Sequence, residues 1–235
     1  MKYLICNLKE DKTLLEIIEY KKALEYIKHP NLELVICPSY PYLPVMHCDN
    51  YKIGAQNVSK FENGIFTGEV SIKTLKSLDV KYVILGHSEI QIIETEEEVL
   101  AKINMALNYK IRPIYTIGEP EDTYQNRQSI EYVQKKLDTI ITNIQKDKIE
   151  NLIIAYEPPW LINTEKNLNI KFIEEMINFI KIYLKERTGK KITVIYGGGI
   201  SKYNIYPLQN IRNLDGFLVG KFAQDPQNIE FIIKQ

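Results

Sequence analysis

The strongest constraint on the fold is a series of short apolar segments that recurs along the whole chain. Between most of them the apolar residues follow a helical period, as at Val133, Leu137, Ile140 and Ile144. Parallel strands that are buried on both faces read as continuous apolar runs, and helical crossovers join them. The predicted strands are Tyr3–Cys6, Leu32–Cys37, Tyr51–Ala55, Tyr82–Leu85, Ile111–Ile117, Leu152–Ala155, Ile192–Ile195 and Gly216–Val219.

Eight such units favour a closed parallel barrel, although a doubly wound open sheet with extra strands would produce a similar alternation. No linker, charge block or low-complexity tract divides the chain, so we expect residues 1–235 to form a single α/β domain, a (β/α)8 barrel. Six glycines directly follow predicted strands, which is the end where barrels build active sites. They are Gly86, Gly118, Gly197, Gly198, Gly199 and Gly220.

The composition argues against several classes of partner. Thirty basic and thirty acidic residues give no net charge, so no long-range field attracts nucleic acid or anionic membrane. The first apolar run becomes charged too soon for a signal peptide, and no run approaches the roughly 18 residues that span a bilayer. We therefore expect a cytoplasmic protein. Its three cysteines, Cys6, Cys37 and Cys48, lack a CxxC spacing and are predicted to be buried free thiols.

Two side chains at strand ends are candidates for proton transfer. His87 follows the fourth strand and Glu157 follows the sixth, just before two prolines that favour a rigid hinge. Taken alone, the histidine is as readily a structural side chain as an electrophile. The glutamate alone is more often a solvated or salt-bridged group than a base. A lone histidine without further ligands argues against a metal site.

Glycine-rich turns after the seventh and eighth strands predict phosphate binding, because barrels commonly bind phosphate there through backbone N–H groups. The turns contain Gly198, Gly199 and Gly220. Asn7 and Lys9 follow the first strand, where an ammonium group could neutralise a phosphorylated substrate. As an isolated motif, however, Asn-x-Lys more often marks a surface lysine.

Taken together and in order, the motifs resemble those of triosephosphate isomerases over nearly the whole chain. Each falls after its expected strand. The motifs are Asn7-Leu8-Lys9, Phe66-Thr67-Gly68-Glu69, Gly86-His87-Ser88-Glu89, Ile117-Gly118-Glu119, Tyr156-Glu157-Pro158-Pro159-Trp160, Tyr196-Gly197-Gly198 and Asp215-Gly216-Phe217-Leu218-Val219-Gly220.

The resemblance implies a TIM barrel that interconverts dihydroxyacetone phosphate and D-glyceraldehyde 3-phosphate without a metal or other cofactor. It implies Glu157 as the base, His87 as a neutral electrophile and Lys9 as the cation beside the phosphate and the reacting oxygens. This family is a standard example of a glutamate base that acts with a neutral histidine. The implied substrate-binding residues are Asn7, Lys9, Asn163, Gly198, Gly199 and Gly220. Supporting roles fall to Ser88, Glu89, Trp160 and Tyr196.

The resemblance also implies a homodimer, in which the loop carrying Thr67, Gly68 and Glu69 reaches a second subunit. Sequence alone could equally describe a loop that closes on its own barrel.

Four departures from the family pattern concern the lid, the phosphate site and an ion pair near Glu96. The lid continues as Leu161-Ile162-Asn163-Thr164-Glu165 in place of Ala-Ile-Gly-Thr-Gly, and Gly199 replaces a serine that helps to hold the closed lid. Gly220-Lys221 replaces paired glycines, and Ile90-Gln91 replaces arginines expected to support Glu96. Lys221 could contact phosphate or point into solvent. These changes leave two alternatives: a catalytically weak or silent phosphate-binding barrel, and a barrel enzyme for a larger sugar phosphate.

Overall fold

The computed structural model describes residues 1–162 and 168–235, and its strands form a closed parallel barrel in sequence order. The last strand pairs with the first, from Tyr3 opposite Gly216 to Cys6 opposite Val219. This closure confirms the predicted barrel and excludes the open sheet. The strands are β1 (Tyr3–Asn7), β2 (Glu33–Cys37), β3 (Lys52–Ala55), β4 (Tyr82–Leu85), β5 (Arg112–Ile117), β6 (Ile153–Tyr156), β7 (Thr193–Gly197) and β8 (Gly216–Val219).

All eight predicted strands are present, and their ends differ from the predicted ones by at most two residues. Strand β6, for example, extends to Tyr156 because that residue pairs with Ile117 of β5 and Tyr196 of β7. The apolar run shows where a strand lies, whereas the neighbouring strands decide where its ladder stops.

Eight α-helices surround the barrel within the described ranges. The predicted helical period around Val133 is confirmed as a long helix. The helices are α1 (Leu14–Glu25), α2 (Ile72–Ser77), α3 (Glu96–Asn108), α4 (Glu121–Gln125), α5 (Ser129–Asn143), α6 (Ile170–Thr188), α7 (Ile205–Gln209) and α8 (Pro226–Lys234). None of the described helices combines the length and the apolar character needed to cross a bilayer.

Burial on both faces of the strands explains their continuous apolar sequences. In β1, Ile5 belongs to the cluster inside the barrel, while Leu4 and Cys6 pack in the layer between strands and helices. The thiols of Cys6 and Cys37 are buried and free, as predicted. Cys48 is also free but only half-buried, so its predicted burial is wrong.

Local signals fix the ends of several helices. Thr13 and Thr95 form capping boxes with Glu16 and Glu98 at the starts of α1 and α3. Gly189 ends α6 in the left-handed conformation that a residue with a Cβ atom adopts only at a cost. Thr13 and Thr95 thus end βα loops at the carboxyl edge of the barrel, whereas Gly189 lies at the opposite edge, before β7.

Candidate active site

A cavity of about 460 Å³ opens at the carboxyl ends of the strands. Every predicted catalytic residue lines it, and so do the predicted substrate-binding residues that the structure describes. These are Asn7, Lys9, His87, Glu157, Gly198, Gly199 and Gly220. Asn163, the remaining predicted substrate-binding residue, lies outside the described residues, as do Thr164 and Glu165.

The centre of the cavity is a contact between an imidazole and a carboxylate. Nε2 of His87 lies 3.2 Å from Oε2 of Glu157, and both side chains are buried. No described group donates a well-oriented hydrogen bond to that buried oxygen. The close approach is therefore an electrostatic contact, and Oε2 remains able to accept a proton.

Burial raises the pKa of Glu157 from its ordinary value of 4.5 to about 8, although the positive charge of Lys9 opposes the rise. A carboxylate in a site of low polarity holds a proton more tightly than one in water. When ionised, Glu157 is consequently a much stronger base than an exposed glutamate.

His87 is shifted in the opposite sense. Burial and, secondly, the charge of Lys9 lower its pKa from 6.5 to about 4, while Glu89 acts weakly in the other direction. The imidazole is therefore neutral at physiological pH. The backbone N–H of Glu89 donates to Nδ1 at 3.2 Å, and this contact favours the tautomer whose proton is on Nε2.

Lys9 is held from three neighbouring strands. Its backbone adopts a left-handed conformation, with φ of 54°, and its N–H donates to Oδ1 of Asn7 at 3.1 Å. Ser39 and Gln56 donate side-chain hydrogen bonds of 2.8 Å to its carbonyl oxygen. Sequence reasoning missed both donors, since neither belongs to a motif. Such bonds offset the cost of the unfavourable backbone conformation.

The ammonium group of Lys9 lies 2.6 Å from Oε2 of Glu89 and 3.3 Å from Nε2 of His87. Partial burial raises the pKa of Glu89, but the hydrogen bond and charge of Lys9 outweigh it, so the net shift is downward. Glu89 is ionised at neutral pH and keeps Lys9 beside the imidazole. Glu89 thus lies next to both groups, and its supporting role stays a prediction.

Two glycines make room for Glu157. A Cβ atom on Gly197 would lie 2.9 Å from Oε1 of Glu157, and one on Gly118 would lie 2.3 Å from its carbonyl oxygen. No real Cβ atom approaches so closely without displacement of its neighbour. The sequence marked both positions as strand-end glycines, but their packing against Glu157 appears only in the folded chain.

The turn after β7 depends on the freedom of Gly198 and Gly199, whose φ angles are 128° and 57°. A Cβ atom on Gly199 would also lie 2.8 Å from the carbonyl oxygen of Leu161. A Cβ atom on Gly220, directly after β8, would lie 3.5 Å from Cε of Lys9. The two glycine turns thus lie on the side of the cavity next to Lys9.

The remaining supporting residues lie outside the cavity lining. Trp160 stacks on Tyr124 with ring centroids 4.2 Å apart, and Tyr196 is fully buried. Ser88 is half-buried beside His87 in the chain. These three residues do not line the cavity, and their supporting roles stay predictions.

A buried carboxylate beneath the hinge, Glu119, had no role in the sequence interpretation beyond its motif. The hydroxyl of Tyr156 donates to its carboxylate at 3.0 Å and that of Ser129 at 3.2 Å. Burial raises the pKa of Glu119, and these hydrogen bonds oppose the rise.

A buried ion pair close to the site was also missed. Nζ of Lys102 lies 2.6 Å from Oε1 of Glu94, both side chains are at least nine-tenths buried, and Asn57 hydrogen-bonds both. The acid expected to lose arginine support was Glu96, but Glu96 instead pairs with Lys136 nearer the surface. The sequence could not distinguish the two acids, because only tertiary contacts show which one is buried.

The loop of residues 61–69 is exposed along its whole length, including Thr67, Gly68 and Glu69. Its aromatic side chains, Phe61 and Phe66, stack on each other at 3.9 Å, and Ile65 is completely exposed. The tip therefore does not pack on its own barrel.

Comparisons with known proteins agree with this geometry. The sequence profile of the family described as triosephosphate isomerase matches residues 2–235. A triosephosphate isomerase of Clostridium botulinum (strain Loch Maree / Type A3) is 32% identical over 97% of this chain and 96% of its own length. The triosephosphate isomerase of Colwellia psychrerythraea is 34% identical over 86% of this chain and 84% of its own length. That of Mesomycoplasma hyopneumoniae is also 34% identical, over 99% of this chain and 98% of its own length. The chain belongs to the triosephosphate isomerase family.

Proposed function

We propose that this enzyme interconverts D-glyceraldehyde 3-phosphate and dihydroxyacetone phosphate, with Glu157, His87 and Lys9 as its catalytic residues. The observation that carries the proposal is the 3.2 Å contact between Glu157 and His87, two buried groups whose pKa values move in opposite directions. A strong base beside a neutral proton donor is what removal of a weakly acidic C–H proton requires.

In the aldose-to-ketose direction, the carboxylate of Glu157 removes the proton from carbon 2, next to the aldehyde. The Nε2–H of His87 donates its proton to the oxygen on carbon 1, and Nε2 then takes the proton from the oxygen on carbon 2. Glu157 returns its proton to carbon 1, which completes the ketone without net gain or loss. Lys9 stabilises the negative charge that develops on the two oxygens.

We place the phosphate group at the glycine turns, where the backbones of Gly198, Gly199 and Gly220 line the cavity beside Asn7. Glycine lets the backbone approach a ligand closely, and its N–H groups suit phosphate oxygens. The contribution of the Asn163 backbone stays a prediction. We also propose that residues 1–235 form one domain and that the enzyme works in the cytoplasm.

The test is isomerisation of D-glyceraldehyde 3-phosphate by the purified protein, coupled to reduction of dihydroxyacetone phosphate. Glu157→Asp withdraws the carboxylate by about 1 Å, and a misplacement of that size costs on the order of 100-fold in rate. Glu175→Asp, at an exposed position on α6, is the matched control and should keep full activity.

Three results would contradict the proposal. Tight phosphate binding without turnover indicates a silent binder, and turnover restricted to a larger sugar phosphate indicates another barrel enzyme. Equal rates for the wild type and Glu157→Asp remove Glu157 from the base role.

We further propose a homodimer formed through the exposed loop around Thr67, Gly68 and Glu69. Ile65 and Ile92 expose nearly their whole side chains, which is the kind of apolar surface that a partner covers. Sedimentation should give twice the chain mass, and Ile65→Glu should yield a monomer with reduced turnover. A monomeric wild type of undiminished activity at assay concentrations would contradict this assembly.

A further inference from the structure

Lys221 is a positively charged residue at the mouth of the cavity, in a turn where the family pattern has a second glycine. It follows Gly220 directly after β8 and lines the same cavity as Glu157 and His87. Because β8 pairs with β1, this turn lies against Lys9. A Cβ atom on Gly220 would lie only 3.5 Å from Cε of that lysine. Lys221 therefore stands on the side where the glycine turns lie.

The charges around the cavity distinguish this lysine from the catalytic one. Among the described residues that line the cavity, the cations are Lys9 and Lys221. The charge of Lys9 is largely matched by Glu89 at 2.6 Å, and Glu157 adds a second carboxyl group at the cavity wall. A phosphate dianion thus gains little net attraction from Lys9 and its neighbours alone.

Lys221 has no such partner within residues 1–162 and 168–235: no carboxylate there lies within ion-pair distance of its ammonium group. The nearest acid along the chain, Asp225, caps α8 by accepting a 2.9 Å hydrogen bond from the backbone N–H of Gln227. Among the described residues, no acid therefore competes with a ligand in the cavity for the charge of Lys221.

We propose that Lys221 binds the phosphate group of the substrate and is a specificity-determining residue of this enzyme. This inference rests on the proposed function, since it takes a phosphorylated triose as the ligand. The ammonium group acts at the phosphate end, whereas the bonds that change lie beside Glu157 and His87. Lys221 therefore stabilises the bound substrate and the transition state equally, and its loss should appear in KM and not in kcat.

The experiment compares Lys221→Met, which keeps the length of the side chain and removes its charge, with Lys221→Arg, which keeps the charge. Lys202→Met is the matched control: Lys202 is exposed on the neighbouring loop after β7, but it does not line the cavity. For each protein, kcat and KM for D-glyceraldehyde 3-phosphate are measured at low and high ionic strength. The dissociation constant of inorganic phosphate is measured by calorimetric titration.

Lys221→Met should raise both KM and the phosphate dissociation constant about five- to tenfold at low salt, as expected for loss of a charge-assisted hydrogen bond. Its kcat should stay within about twofold of the wild-type value. The difference should shrink at high salt, because an exposed charge is screened. Lys221→Arg and Lys202→Met should resemble the wild type.

The proposal is overturned if Lys221→Met leaves the phosphate dissociation constant unchanged, which would mean that Lys221 points into solvent. It is also overturned if Lys202→Met weakens binding equally, since the effect would then be a general surface field. A wild type that binds phosphate but shows no turnover would refute the proposed function alone, because the titration still tests Lys221.

Discussion

Replacing Glu157 by glutamine should make the folded protein more stable at alkaline pH while abolishing its activity. Burial gives the folded protein a Glu157 pKa of about 8, against an ordinary value of 4.5 that applies to the unfolded chain. Because the folded pKa is raised, the stability associated with protonated Glu157 is fully present below pH 4.5 and is lost as the pH rises through about 8. Catalysis requires the ionised form, so the same group that serves as base destabilises the fold.

The size of the effect follows from the two pKa values. Each tenfold change in proton affinity corresponds to about 1.4 kcal/mol, so ionising Glu157 in the folded protein costs at most about 5 kcal/mol. Relaxation around the new charge reduces this figure. We therefore expect the stability advantage of Glu157→Gln over the wild type to increase by about 2 to 4 kcal/mol between pH 5 and pH 9. Glutamine keeps the shape of the side chain and cannot ionise.

The assay is urea unfolding of both proteins at several pH values, at equal protein concentration, with Glu175→Gln as an exposed control. Comparison at each pH removes the contribution of every other titrating group. The wild-type kcat/KM, measured over the same range, should fall as the pH drops below about 8. A stability difference that does not change with pH would refute the argument that burial raises the Glu157 pKa.

Two further predictions concern groups that pack against the site. Gly197→Ala should lower kcat by about 10- to 100-fold with little change in the melting temperature, because the added Cβ atom would displace the Glu157 carboxylate. Steady-state kinetics and a thermal melt check this prediction, and an unchanged kcat would contradict it. Lys102→Met should destabilise the protein by about 3 to 5 kcal/mol in urea unfolding, because it leaves Glu94 charged and buried. Adding Glu94→Gln should recover part of that loss, and a double variant no more stable than Lys102→Met would contradict the pairing.

The barrel could be predicted from the sequence to a large extent. Burial on two faces requires apolar residues at successive positions, so each strand appears as a short continuous run wherever it lies in the final sheet. The ends of these runs also predicted which side chains would meet at the cavity, since parallel strands place their carboxyl ends on one side. Strand ends alone make His87 and Glu157 candidates, whereas their roles as electrophile and base follow from the resemblance to the family.

The contacts of the site could not be predicted in the same way. Ser39 and Gln56 donate hydrogen bonds to the carbonyl oxygen of Lys9, although they follow other strands, β2 and β3, and belong to no motif. The sequence does not indicate that Lys102 is buried, because a lysine on a helix is usually exposed. Only its packing shows that it pairs with the buried carboxylate of Glu94.

By itself, the sequence determined the order of the elements, the barrel and the residue types presented at its carboxyl edge. These properties follow from local periodicity and from short motifs, which need no knowledge of distant neighbours. The tertiary structure alone decided the opposite pKa shifts of Glu157 and His87 and the pairing of Lys9 with Glu89. Those depend on desolvation and on charges within a few ångströms, and groups roughly 70 to 80 residues apart come that close only when the barrel closes.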